Sequence, residues 1–435
     1  MNLPEDKETL PRVLGRAGYA TGLIGKAHFQ SLAPPSLESQ PTLRDLDFWR
    51  GFNGPWYGFD HIELARNHAD ESHVGQHYAL WMEAQGFTDW RDYFQPLPGE
   101  APGPHAPAMH PSGHSWARDG RSWDLPEDLH YTRWTGERSA AFIEEHAGAP
   151  FFLWASFHDP HPPYTVPEPW ASMYDPDDME PGRLTPGEHE RNAPHFAKTQ
   201  EEAPDFGSWH KPFEAHGYAS HLYPEHDLKK DMAVYYGMMS FIDAEVGRTL
   251  DTLDRLGLTD DTLIVFTSDH GHFLGQHGLV AKGPFHYEDM LRVPFLAAWP
   301  GRIPAGTVQD SIQSLVDLMP TFLDAAGVAV PGQVQGLSQL AQWQGGAPVR
   351  SHAIRENRHN PVMPHVTSYI EERYKVNVYR EGPWGELFDL KADPGEVVNL
   401  WDDPQSEPVK REMLHRFVQA MLAAEPTENP RVAHA

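Results

Sequence analysis

Asp269 and His270 stand side by side just after an apolar run, Leu263, Ile264, Val265 and Phe266. A carboxylate next to an imidazole suits a divalent metal. Lys282 follows thirteen positions after Asp269, on a short loop where it would meet an anion beside that metal. Gly271, Gly275 and Gly278 lie between them and let the chain turn sharply close to a ligand. Two other places offer chemistry. Lys26 and His28 follow the run 19–25, and His161 follows the run 151–157 within His158-Asp159-Pro160-His161. Taken singly these signals are weak: Asp-His also reads as a strand end with a capping Asp, and Lys-x-His as a surface loop. Asp159 is expected to cap a turn, with a place in the cleft as its alternative.

The elements that position these residues follow from hydrophobic patterning. The run at 263–266 predicts a strand buried on both faces, and 19–25 and 151–157 predict two more strands. In open α/β sheets ligands bind beyond the carboxyl ends of the strands, where all the candidate residues fall. A helix is expected at 4–17, with Leu10, Val13, Leu14 and Ala17 on one face and Gly18 as its C-cap. Further helices are expected at 127–145, 231–258 and 314–326. The helix at 231–258 runs through a short turn into the 262 strand, half of a βαβ unit, so parallel neighbours are expected. The tail changes character. Short strands near 353–354, 366–370, 375–379 and 386–390 suggest an antiparallel sheet, closed by a helix at 409–424. The aromatic-rich stretch 47–86 is expected to pack in the core, and 95–125 and 165–228 to be long irregular insertions.

Composition narrows the partners. A chain of 435 residues can bury a large core, and its net charge of −28 argues against nucleic acid. An anionic substrate would need a local positive site. With no Cys there is no disulfide and no thiolate metal site. No apolar run is long enough to span a membrane, and no signal peptide follows Met1, so a cytoplasmic location is expected for the chain as given. Most of the 27 His are expected in solvated loops.

Asp269-His270-Gly271, Gly275-x-His277-Gly278, Lys282 and Arg292-Val293-Pro294, in that order, resemble the sulfatase family of the alkaline-phosphatase-like superfamily. The Asp-His form looks like the branch of iduronate-type and choline-type sulfatases and phosphonate monoester hydrolases. The run AGYATGLIGKAHF resembles the family's second motif, and His161 matches its Pro-His-x-Pro. Leu387–Leu390, Asp393-Pro394-x-Glu396 and Asn399-Leu400 resemble its C-terminal signature. The likeness runs from about Leu3 to about Ala424.

The resemblance implies an alkaline-phosphatase-like α/β fold: a mostly parallel sheet flanked by helices over 1–345, and a small C-terminal α+β subdomain over 346–435. It implies hydrolysis of a sulfated small molecule or saccharide at a divalent metal, Ca²⁺ or alternatively Mn²⁺. Asp269 and His270 would ligate the metal. Lys26 and Lys282 would bind sulfate oxygens, His28 would contact the nucleophile, and His161 would hydrogen-bond or protonate the leaving oxygen. The sequence departs from the family in two respects. The family's nucleophile is a formylglycine made from a Cys-x-Pro-x-Arg motif, and neither this motif nor its Ser form is present. The first strand, ending in a metal-binding Asp pair, is also missing; Asp177-Asp178, Asp260-Asp261 and Asp402-Asp403 fall in turns. A truncated, weakly active or inactive sulfatase is therefore expected. The alternatives are a phosphonate monoester or phosphodiester hydrolase and a non-catalytic anion-binding protein.

Overall fold

Residues 20–25 combine small and branched side chains, and in the computed structural model they form the central strand of a parallel sheet. The structure describes residues 2–31, 33–66, 74–96, 99–107, 121–201, 223–357, 365–380 and 382–425; the remaining parts of the two expected insertions lie outside the described residues. By compactness the chain forms two units, Met1–Glu180 with Glu225–Asp260 and Pro181–Pro224 with Asp261–Ala435. The division expected at 345 rests on a different criterion, the change from parallel to antiparallel patterning.

In the first unit β1 (Ala20–Gly25) lies between β2 (His61–Leu64) and β3 (Phe151–Ser156), both parallel to it. Leu23 and Ile24 are fully buried. Gly25 is paired with both Leu64 and Ser156, so the three strands end at one level. The preceding helix α1 covers only Leu10–Arg16. Pro11 explains its shorter span, because proline is tolerated only in a helix's first turn. Gly18 follows it in the left-handed conformation, as a C-terminal glycine should. Helices α2 (Tyr131–Glu145) and α3 (Glu225–Arg255) are joined by Arg133 Nη1 donating to Glu245 Oε1 at 2.8 Å. Trp49, Trp56, Tyr57, Phe59 and Tyr78 are buried, so the aromatic stretch is core as expected. Strand β3 is less covered than expected: its Trp154 is 44% exposed.

The second unit corrects two expectations. Strand β4 (Ile264–Thr267) is partly buried, not buried on both faces. It pairs antiparallel, not parallel, with a later strand, Phe295–Ala298, whose Leu296 is 68% exposed. The reason lies in the connection. Between the two strands the chain makes a two-residue-stranded hairpin and one helical turn, Glu288–Leu291. A parallel partner would need a full crossover helix. The hairpin strands are β5 (Phe273–Leu274) and β6 (Val280–Ala281), and Phe295–Ala298 is β7. The tail forms an antiparallel sheet as expected: β8 (Ala353–Asn357), β9 (Val366–Ile370), β10 (Tyr374–Tyr379) and β11 (Gly385–Asp389), in that order. A closing helix, Glu407–Ala423, packs Met413, Phe417 and Ala420 against Tyr369, Val376 and Leu387. Among the described residues no helix is long and apolar enough to cross a membrane.

The end of β1 depends on a missing side chain. Gly25 has φ +111°, and a Cβ there would stand 1.9 Å from the Ser156 carbonyl oxygen. Gly18 has φ +93° but nothing within 4 Å. Gly25→Ala should therefore cost more than Gly18→Ala, which reports backbone strain alone, about 2 kcal/mol. Urea denaturation of the two variants checks this; equal losses would show that the contact with β3 does not matter.

Candidate active site

At the ends of β1, β2 and β3 the chain places a cluster of cationic and imidazole groups. Lys26 follows β1 directly, and its backbone N–H donates to Ser156 O at 2.9 Å. His28 is exposed two residues on. Its Nε2 accepts from Nη2 of Arg66, at 3.1 Å, a buried residue just after β2. Glu38 curls over the same loop: its Oε2 accepts from the Phe29 and Gln30 backbone N–H groups at 2.8 and 2.6 Å. Burial pushes the Glu38 carboxyl up, against the lowering effect of those N–H groups, Arg66 and Lys26.

The loop after β3 adds three residues. His158 Nε2 donates to Ala65 O at 2.5 Å. Burial, then Lys26 and Arg66, drive this imidazole down to about 3, so it is neutral. Asp159 does not cap a turn. It accepts from Tyr131 OH at 3.0 Å and from Thr132 Oγ1 at 2.6 Å, and burial raises it to about 7. His161 Nδ1 donates to Pro162 O at 2.6 Å, which leaves Nε2 as the acceptor nitrogen.

In the second unit the hairpin explains the spacing of Asp269, His270 and Lys282. Phe273 pairs with Ala281, so the residues before β5 and after β6 return to each other. Gly271 lies against the backbone of Asp289, where a Cβ would be 1.8 Å from the carbonyl oxygen. His270 Nδ1 donates to Gly271 O at 2.8 Å, so its Nε2 carries the lone pair. That nitrogen is 3.6 Å from Asp269 Oδ2 and 3.4 Å from Lys282 Nζ. The Asp269 side chain is 83% exposed. Two donors this close fit one edge of a cation's shell. Among the described residues no group of three or more His, Asp or Glu completes it.

The loop between the hairpin strands is held by charge. His277 has φ +57° and stacks on Tyr287, with ring centroids 3.5 Å apart. Its Nδ1 is 3.2 Å from Glu188 Oε1 and its Nε2 is 3.4 Å from Asp289 Oδ2. His189 Nε2 donates to His277 O at 2.8 Å. Burial opposes a charge on His277, but Asp289 and Glu188 outweigh it and raise the imidazole.

The sulfatase family profile matches residues 1–328. The chain belongs to the sulfatase family. A second profile, N-sulphoglucosamine sulphohydrolase C-terminal, matches residues 275–422. An arylsulfatase of Clostridium perfringens is 31% identical over 403 residues, 91% of this chain and 74% of that protein. An N-acetylglucosamine-6-O-sulfatase of Bacteroides thetaiotaomicron is 32% identical over 191 residues, 42% of this chain and only 34% of that protein. A solved phosphonate monoester hydrolase from Silicibacter pomeroyi superposes with a TM-score of 0.76 at 21% identity, covering 100% of this chain and 84% of that one. Its likeness is one of fold, and the fold is alkaline-phosphatase-like.

For this sulfatase-family chain, sequence reading named Lys26, His28, His161, Asp269, His270 and Lys282. It missed their neighbours. Arg66 and Glu38 carry no motif of their own and reach His28 and its loop only through the fold. Arg355, on β8, is another: burial lowers its guanidinium while Asp269 pulls the other way, so the two charges lie close. His272 is held neutral near 3 by burial, then by His270 and Lys282. His189 and His195, in a stretch where solvated His were expected, are buried, as are His130, His158, His277 and His286.

The His277 contacts set a pH dependence. Its folded value lies above the ordinary 6.5. Its stabilising contribution is therefore complete below about pH 6.5 and is lost as pH rises through the raised value. His277→Gln should cost about 3 kcal/mol at pH 6, because it leaves the buried Glu188 without its charged partner. The gap between wild type and variant should narrow above neutral pH. Urea unfolding from pH 6 to 9 measures it; a gap that widens with pH would show that the carboxylates do not hold an imidazolium.

Proposed function

We propose that the protein acts on sulfate esters, with a divalent cation held by Asp269 and His270. Ca²⁺ is the first candidate and Mn²⁺ the alternative. The observation that carries this reading is the arrangement around His270 Nε2. A lone pair fixed by the Gly271 carbonyl stands 3.6 Å from a carboxylate oxygen and 3.4 Å from an ammonium. A metal-ligand pair beside a cation is what an anionic ester requires. When bound, such a metal polarises the ester oxygens. In the second unit Lys282 would bind a sulfate oxygen; in the first, Lys26 would bind an anion oxygen and His28 would contact a nucleophile. His161 keeps its Nδ1–H on Pro162 O, so a proton gained at Nε2 is the one it gives to the leaving oxygen. The substrate class is a sulfated small molecule or saccharide; the N-acetylglucosamine-6-O-sulfatase relative supports a saccharide.

Two quantitative expectations follow from the residues present. The 435 residues contain no Cys, so they supply no formylglycine. Binding and electrostatics alone leave trace catalysis rather than none. The chain should turn over an aryl sulfate only in trace. A form extended upstream to include an in-frame Cys-x-Pro-x-Arg, co-expressed with a formylglycine-generating enzyme, should be fully active. Equal turnover by the two forms would refute this and would send the search for another nucleophile to the Ser and Thr near Lys282. Faster turnover of a phosphonate monoester than of the aryl sulfate would move the substrate class to phosphoryl esters.

The metal should bind weakly. Ca²⁺ takes about six to eight oxygen ligands, and one carboxylate with one imidazole serves it poorly. Calorimetric titration of the 435-residue chain with Ca²⁺ and Mn²⁺ tests this; tight binding of either ion would overturn it.

A further inference from the structure

Arg66 is only 6% exposed, yet no strand or helix requires a cation there. It follows β2 by two positions and stands at the level where β1 and β3 also end. Two hydrogen bonds fix its backbone neighbour. Ala65 N–H donates to Gly25 O at 3.0 Å, and His158 Nε2 donates to Ala65 O at 2.5 Å. All three strand ends are thereby tied at the residue before Arg66. The buried charge is balanced by Glu38, whose Oε1 stands 3.7 Å from Arg66 Nε. Neither of these two buried atoms makes a hydrogen bond of its own. What the guanidinium does bond is His28 Nε2, at 3.1 Å.

A guanidinium can only donate. Its partner nitrogen must therefore be an acceptor, and the hydrogen of a neutral His28 must sit on Nδ1. A solvated neutral histidine side chain favours the Nε2–H tautomer, so the bond to Arg66 selects a minor form. We propose that Arg66 is a positioning residue: it fixes exposed His28 as the neutral Nδ1–H tautomer, so that His28 enters the reaction as a hydrogen-bond donor through Nδ1. The base function at Nε2 is occupied by Arg66. An oxygen nucleophile or an ester oxygen facing Nδ1 receives a hydrogen bond and keeps its own proton. The Glu38 carboxylate completes the device by holding the Phe29 and Gln30 backbone, which anchors the loop that carries His28.

The role of His28 in an ester site rests on the function proposed above, but the tautomer does not. The test uses the full 435-residue chain labelled with ¹⁵N-histidine. Long-range ¹H–¹⁵N correlations report which ring nitrogen carries hydrogen, and His28→Asn assigns the signal. In the wild type at neutral pH, His28 should show a bare Nε2 and a protonated Nδ1. Arg66→Lys keeps a donor and should keep this pattern. Arg66→Leu should shift the hydrogen to Nε2 while the His158 and His277 signals stay in place. A wild-type His28 with its hydrogen on Nε2 overturns the proposal, whatever the variants do. So does an Nδ1–H pattern that persists in Arg66→Leu. If Arg66→Leu does not fold, the wild-type and Arg66→Lys spectra still decide. No substrate is needed, so a chain that hydrolyses nothing would sink the sulfate-ester reading and leave this test intact.

Discussion

The backbone of Gly25 passes so close to the Ser156 carbonyl that no side chain fits between them. That approach depends on the register of β1 against β3, and the register decides where the following loops leave the sheet. A one-residue slip in a strand would send every side chain to the opposite face. Lys26 would then point away, and His28 would lose Arg66. The ties through Ala65 add a second lock, because a carbonyl used by His158 and an N–H used by Gly25 admit one alignment of β2. The candidate cluster of the first unit thus rests on a steric constraint one residue from Lys26.

The second unit solves the same problem by a different route. Here no parallel sheet brings separate loops to one edge; a hairpin folds one loop back on itself. The left-handed residues Gly275, His277 and Gly278 make the reversal possible. A His in that conformation is strained. The strain is offset by two carboxylates, a stacked Tyr287 and a hydrogen bond to the His277 carbonyl. The thirteen-residue spacing of Asp269 and Lys282 is the length of chain this reversal consumes.

Legibility in the sequence followed locality. Asp269-His270, Lys26-x-His28 and the Gly-x-His-Gly turn are short and continuous, so they could be read directly. The tail strands were legible because an antiparallel meander is built of neighbours; 366–370 was placed to the residue. Helix 4–17 was read too long, because apolar spacing gave it a face while Pro11 set its start. The direction of β7 relative to β4 was not legible, since an apolar run carries no information about its partner. Arg66 and Glu38 were invisible for a related reason. A lone charged residue reads as solvated surface until the fold buries it against a partner far along the chain.

A net charge of −28 is at first sight at odds with the anionic ester proposed as substrate. The conflict weakens once distance is considered. At physiological ionic strength a charge beyond about 8 Å is largely screened, so most of the acidic surface contributes little at the site. What matters is the charge within contact range, where the buried acidic groups are already committed and Asp269 is the exposed carboxylate assigned above to the metal. Glu38 faces Arg66, and Glu188 faces His277. Near Lys26 and Arg66 stands His158, and near Lys282 stands His272, both held neutral. Holding His158 and His272 neutral by burial keeps the cationic charge on lysine and arginine, whose protonation does not change near neutral pH. A chain that is strongly acidic as a whole can therefore keep local cationic charge that does not change near neutral pH.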